Sequence, residues 1–224
     1  AVFGEKLGWE RANWFAEGSE NAFDIYTFGL PNWHGAVARE HKAARETAVL
    51  FDQTSFAKYK VTGTGAEQAL QWIAANRVDK PIGSIIYTQM LNDKGGIECD
   101  LTCVRTKYNE YYITTGTGYA THDFDWINRN FPSDLDVQLV DVTSSNAVLS
   151  LFGPKSRDIL EVVTTDDISN TNHPFGIARQ IGIAGCPVLA MRITYVGELG
   201  WELHFPVKYA KTVYSAIIDA GSPL

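Results

Sequence analysis

Two stretches of this chain carry one pattern at a separation of 90 residues. YKVTGTGAEQALQWI, from Tyr59, reads as a strand, a glycine turn and a helix, and LSLFGPKSRDILEVV, from Leu149, reads the same way. Gly63 matches Gly153, Leu70 matches Leu160 and Ile73 matches Val163; further on, Ile113 matches Leu203 and Ile127 matches Ile217. A constant offset over so long a span signals an internal structural duplication, which confines the fold to two copies of one supersecondary unit. Each unit reads as strand, helix, two or three strands, helix, strand. The first places strands near 57–62, 85–91, 97–106, 109–115 and 135–142, with helices near 64–75 and 119–130. The second places strands near 145–152, 176–184, 187–195 and 200–205, with helices near 154–164, where Pro154 suits a first helical turn, and 207–219. Short turns between strands imply antiparallel pairing, so the predicted class is α+β. Residues 1–33 have no clear period and read as an extended arm, followed by a helix over roughly 35–49. The expected division is 1–50 for arm and helix, 51–143 for the first subdomain and 144–224 for the second. The counterpart of the strand near 135 would begin near 225, one residue past the end. The second subdomain is therefore expected to be truncated, with a bare sheet edge near 145–152 or 187–195.

Composition narrows the partners. The 224 residues carry a net charge of −7 and no lysine or arginine cluster, which disfavours nucleic acid and anionic membranes. No apolar run approaches a membrane span. The start, AVFGEKLGWERANWF, has no initiator Met and resembles no targeting peptide, so the chain is expected to be a fragment or processed product. The odd, low cysteine count of three (Cys99, Cys103, Cys186) suits a reducing compartment, and these read as plain buried thiols. The five histidines show no metal-ligand spacing, and no metal is expected.

Two glycine-rich turns are weak candidates. GTGAEQ, from Gly63, and GTGYAT, from Gly116, each lack the third glycine of a dinucleotide fingerprint and read as strand-to-helix turns. In THDFDWI, Thr121 is expected at the N-cap with Asp123 and Asp125 in the first turn, and His122 as a surface residue there.

The informative acids lie on strands. YTQMLNDKGGIECDLTCVR, from Tyr87, reads as a hairpin. On its second strand Ile97, Cys99, Leu101 and Cys103 share one face, and Glu98, Asp100 and Thr102 the other. In TYVGELGWELHFP, Glu198 belongs to the glycine turn and is expected in solvent. Glu202 follows on a strand whose Trp201, Leu203 and Phe205 point inward, leaving Glu202 and His204 on the opposite face. A half-buried carboxylate needs a multi-donor partner. A planar ring edge with two adjacent N–H groups, such as a pterin or guanine, would serve, and so would an arginine such as Arg192.

RITYVGELGWELHFP resembles the signature of the folate-binding aminomethyltransferase family, which includes the glycine-cleavage T-protein, and YTQMLNDKGGIECDLT resembles that family's hairpin with its essential aspartate. AVFGEKLGWERANWF, EHKAARETAVLFDQTSFAK and THDFDWI are similar to the C-terminal folate region of dimethylglycine and sarcosine dehydrogenases. The likeness implies a ring of subdomains around a folate pocket. It implies that Asp100 is the catalytic aspartate beside the folate N10, that Glu202 grips the pterin, and that Tyr195 and Tyr87 contact folate. The implied cofactor is tetrahydrofolate, with FAD in a flavin domain outside this chain, and the implied substrate is an iminium derived from an N-methylglycine. A C-terminal barrel of the same parent would complete the pocket, in a bacterial cytoplasm or mitochondrial matrix. Cys99 stands where the T-protein has the first of an Asp pair, and Thr115-Gly116 where many members have Asn. A T-protein-like transferase fed by a lipoyl carrier, and a non-enzymatic scaffold with an incomplete pocket, are the alternative readings.

Overall fold

The computed structural model describes residues 1–6, 8–18 and 21–222; parts of the expected N-terminal arm (7, 19 and 20) and the last two residues (223 and 224) lie outside the described residues. The arm is a hairpin, β1 (Val2–Lys6) against β2 (Trp9–Trp14), rather than an extended segment. Buried Trp14 packs with Val2 and with Ala36 of helix α1 (His34–Glu46), and its indole N–H donates to Asp24 at 2.8 Å. The helix ends three residues short of its expected limit because Val49–Asp52 leave it to form strand β3.

From there the chain builds two five-stranded antiparallel sheets. The first contains β4 (Ala57–Thr62), β5 (Ile85–Leu91), β6 (Ile97–Lys107), β7 (Glu110–Thr115) and β8 (Gln138–Asp141), in the order β5-β6-β7-β4-β8. The second contains β9 (Asn146–Phe152), β10 (Ala178–Ile183), β11 (Cys186–Met191) and β12 (Gly200–Pro206), in the order β10-β11-β12-β9-β3. Helices α2 (Ala66–Ile73) and α3 (Ala120–Asn130) cover one face of the first sheet, through Leu70 and Ile127. Helices α4 (Ser156–Val163) and α5 (Ala210–Gly221) cover the second, through Leu160 and Ile217. The residues matched at the 90-residue offset thus hold equivalent core positions.

The bare edge expected in the second sheet does not exist. Strand β3, which precedes the first subdomain, pairs antiparallel with β9, Val49 opposite Phe152 and Asp52 opposite Leu149. Strand β8 does the same for β4, Thr62 opposite Gln138 and Tyr59 opposite Asp141. Counted as β3 to α3 and β8 to α5, each repeat lends its leading strand to the sheet of the other; on the division at 143 read from the sequence, β8 stays with its own unit. One turn chemistry serves both crossings. Asp52 Oδ1 accepts from Thr54 N at 2.9 Å and Asp141 Oδ1 from Thr143 N at 2.8 Å. The Thr54 hydroxyl then accepts from Val148 N at 3.1 Å, and that of Thr143 from Lys58 N at 3.0 Å. Lys58 itself is buried with its Nζ on Thr54 O at 2.7 Å. Burial lowers its amine to about 8, against the pull of Asp141 and Asp52.

The two turns leading into α2 and α4 touch the segments that lead into β8 and β3. Gly63 and Gly153 have φ of 122° and 126°, a region that L side chains avoid. A Cβ at Gly153 would sit 2.4 Å from Thr47 O, and one at Gly63 would sit 2.3 Å from Asp136 O. The helices start two residues later than expected, so Pro154 lies in the turn before the Lys155 N-cap. Thr121 is likewise inside α3, whose N-cap is Tyr119. Gly153→Ala should lower stability by on the order of 1–3 kcal/mol through backbone strain and this contact. The urea midpoint reads this directly, and an unchanged midpoint would mean that the turn does not meet the backbone of Thr47 and Ala48.

The remaining faces of the two sheets meet each other. Val104 packs with Ala178 and Met191, and the Tyr112 ring stands edge-on to His204 at 5.4 Å. Backbone bonds fasten the seam: Ile85 N to Gly176 O at 2.8 Å and Ala178 N to Gly83 O at 2.7 Å.

Candidate active site

On one side of the Tyr112–His204 contact the seam opens into a cleft of about 760 Å³. Tyr87, Asp100, Glu202 and Tyr195, the four residues singled out by the sequence, all line it. Tyr87 and Asp100 project from β5 and β6 of the first sheet. Gln89, directly opposite Asp100, donates to Asp100 Oδ1 at 3.1 Å, and the carboxylate remains exposed. The hydrogen bond from the Tyr87 phenol to Asp100 pushes the phenol's titration upward. Cys99, Leu101 and Cys103 are buried on the opposite face as expected, and burial raises the Cys103 thiol to about 12. Ile97 departs from that face: the register shifts beside it and it is exposed.

Glu202 lies on β12, in the interior of the second sheet, between Ser150 of β9 and Met191 of β11. Trp201, Leu203 and Phe205 are buried beneath α4 and α5, so strand alternation aims Glu202 at the cleft. Its protein partner is His204 Nε2, at 3.4 Å from Oε2. Arg192 does not reach it: that side chain donates to His173 O at 2.7 Å and stacks on the Trp201 ring. Two expectations change in the preceding loop. Strand β11 ends at Met191, so Tyr195 is a loop residue, 89% exposed at the cleft mouth. Glu198 does not simply meet solvent; Arg45 of α1 holds it at 2.6 Å and also bonds Val196 O.

The duplication produces a second cleft, of about 550 Å³, on the other side of the Tyr112–His204 contact. Strand registers relate the two. Asp100 corresponds to Pro187, Tyr87 to Gln180, Glu202 to Tyr112 and Thr114 to His204. The positions that carry Asp100 and Glu202 in the first cleft carry no carboxylate in the second.

Other cleft residues were not singled out from the sequence. The Thr114 hydroxyl is buried at the wall and has no protein partner among the described residues, a donor and acceptor available to a ligand. Asp123, read as helix-start chemistry, is 1% exposed and accepts from the Thr115 hydroxyl at 2.6 Å. Its spacing of four from buried Ile127 is the signal that places it on the inner face of α3. His122 spans from Asp123, at 3.0 Å, to Glu98, at 3.4 Å. Among the described residues, Cys99, His122 and Asp123 bring ligand-type atoms within 4.8 Å of one another. Burial and the neighbouring Asp123 hold the Cys99 thiol protonated, and both His122 nitrogens already face carboxylates. The Asp123 hydrogen bond raises the His122 pKa above its ordinary 6.5. Its stabilising contribution is therefore complete below pH 6.5 and disappears as the pH rises through the raised value. An NMR titration should place the His122 midpoint above 6.5, falling back in Asp123→Asn; equal midpoints in the two proteins would break the assignment.

No helix among the described residues is long and apolar enough to cross a membrane. The chain is 34% identical to the mitochondrial sarcosine dehydrogenase of Mus musculus over 99% of its own length and 28% of that protein's. It is 31% identical to the mitochondrial dimethylglycine dehydrogenase of the same species, over 97% and 25% respectively. The chain thus spans about a quarter of the length of these relatives. In fold it is similar to the glycine cleavage system aminomethyltransferase T from Bartonella henselae, with a TM-score of 0.73 at 22% identity, over 97% of this chain and 53% of that one. Sheets and helices follow the arrangement of that fold, and the family model for the GCVT N-terminal domain matches residues 1–224: the chain belongs to the GCVT aminomethyltransferase family.

Proposed function

We propose that this domain binds tetrahydrofolate in the carboxylate-bearing cleft and serves one-carbon transfer within a longer sarcosine or dimethylglycine dehydrogenase-like flavoprotein. One observation carries the reading: Asp100, Glu202, Tyr87 and Tyr195, scattered over 116 residues, converge on one cleft, while the matching positions of the duplicated cleft carry neither carboxylate. The residues suit the ligand. Glu202 offers an acceptor to the paired N–H groups of a pterin edge, the unpartnered Thr114 hydroxyl offers a further polar contact, and the two exposed tyrosines offer aromatic faces.

In this reading a flavin elsewhere in the parent oxidises an N-methylated glycine to an iminium. Tetrahydrofolate supplies the nucleophilic nitrogens. Bound there, tetrahydrofolate would take up the one-carbon unit at its two nitrogens, and the amine would leave with the protons that those nitrogens give up. Asp100 stabilises the cationic carbon and receives the proton released on attack.

Asp100→Ala in the full-length parent should leave flavin reduction intact and divert product from methylenetetrahydrofolate to free formaldehyde. An unaltered partition between the two products would refute the role. Glu202→Gln replaces one acceptor oxygen by a donor facing the ring's N–H pair. Loss of a charged hydrogen bond is worth about 1.5–3 kcal/mol, or about 10- to 150-fold in folate affinity. Glu198→Gln should leave folate affinity nearly unchanged, since Glu198 pairs with Arg45 outside the cleft lining. Titration of both variants decides, and the reverse order would move the pterin site to the turn.

A further inference from the structure

The seam between the sheets holds a hydrogen-bonded chain that ends on Glu202. Tyr112 Oη lies 3.1 Å from His204 Nδ1, and His204 Nε2 lies 3.4 Å from Glu202 Oε2. Tyr112 and His204 are 4% and 3% exposed, and their rings meet edge to face. They come from different sheets, so the subdomain contact itself sets their geometry. The chain also crosses the duplication. Tyr112 and Glu202 hold corresponding positions, one lining each cleft, and His204 stands between them where the first subdomain has Thr114.

We infer that His204 is a positioning residue, which fixes the Glu202 carboxylate for the ligand and is itself fixed by Tyr112. The proton placement follows from chemistry. An ionised carboxylate only accepts, so His204 Nε2 must carry the hydrogen that reaches Glu202. In the neutral imidazole Nδ1 is then an acceptor, and the Tyr112 hydroxyl is its donor. Burial, with the Glu202 charge added, raises the Tyr112 phenol and keeps that donor protonated. The chain therefore runs Tyr112 O–H to His204 Nδ1, and His204 Nε2–H to Glu202 Oε2, leaving Oε1 beside the cleft with no protein partner among the described residues. A carboxylate gripped at one oxygen keeps its plane, and the second oxygen meets the ligand in a set orientation. Thr114 at the equivalent place is too short to do this from its own strand, which is a reason for the asymmetry between the subdomains.

This inference rests on the folate reading of the cleft, and the test separates the two. Nitrogen-15 NMR of the 224-residue chain should show the His204 proton on Nε2, with Nδ1 as acceptor. A proton on Nδ1 in the neutral ring would overturn the inference whatever the ligand. Tetrahydrofolate titrations then compare His204→Phe, His204→Gln, Glu202→Gln and the double variant His204→Phe/Glu202→Gln. His204→Phe keeps the bulk and loses the donor, and should weaken binding about tenfold, the equivalent of one charged hydrogen bond. His204→Gln places an amide N–H near the Nε2 position and should recover most of that loss, which a purely structural role does not explain. The double variant should bind no more weakly than Glu202→Gln alone, because the two residues act through one contact. Independent, additive losses would overturn the positioning role while leaving the cleft reading in place. Full affinity in Glu202→Gln would overturn the cleft reading, and the inference with it.

Discussion

The exchange of edge strands holds this fold together. Neither five-stranded sheet can be completed from its own repeat, because β3 belongs to the second sheet and β8 to the first. Each lent strand satisfies backbone groups of the neighbouring β9 or β4, which would otherwise be left as a pairing template. The crossings are short, and each is locked by an aspartate that orders its own turn and a threonine that reaches the opposing strand. With the repeats counted from β3 and from β8, completing either sheet requires a strand of the other repeat.

The cleft is a consequence of this reciprocity. Two copies of a unit that exchange edges must bring their uncovered sheet faces together, and the same contact leaves a recess on each side. The Tyr112–His204 contact, beside the Val104, Ala178 and Met191 cluster, lies between the recesses. Related geometry with unrelated side chains then allows one recess to specialise. Asp100 and Glu202 occur in one, while Pro187 and Tyr112 occupy the matching places in the other. The carboxylates sit on paired strands of the two sheets, whose positions depend little on the loops around them. Tyr195, by contrast, stands in the connection before β12, where its exposure allows adjustment to a ligand.

Much of the fold was legible in the residues because it depends on local rules. Alternation in WELHFP separates Trp201, Leu203 and Phe205 from Glu202 and His204, and the structure keeps that separation. The same rule places Asp100 opposite the buried Cys99 and Leu101. The local rules fail where partners are distant. Val49–Asp52 continue a helical sequence and yet form a strand, because β9 offers an open edge more than 90 residues away. The N-terminal residues lack a long period because their hairpin is short, and it is stabilised by Trp14 packing on α1 rather than by a sheet of its own. Glu198 reads as solvent-exposed from its turn, and only the approach of Arg45 shows otherwise.

The sequence by itself determined the duplication, the α+β class, the helix-covered cores and the identity of the residues facing away from them, since all of these follow from periodicity and turn chemistry within a few residues. The tertiary structure decided which sheet receives each edge strand, that Tyr87, Asp100, Tyr195 and Glu202 share one cleft, and that Glu202 is backed by His204 and Tyr112 rather than by Arg192. The physical reason is range. Alternation states which way a side chain points, but its partner is chosen by the packing of two sheets whose contacting residues are far apart in the chain, and no local pattern encodes that contact.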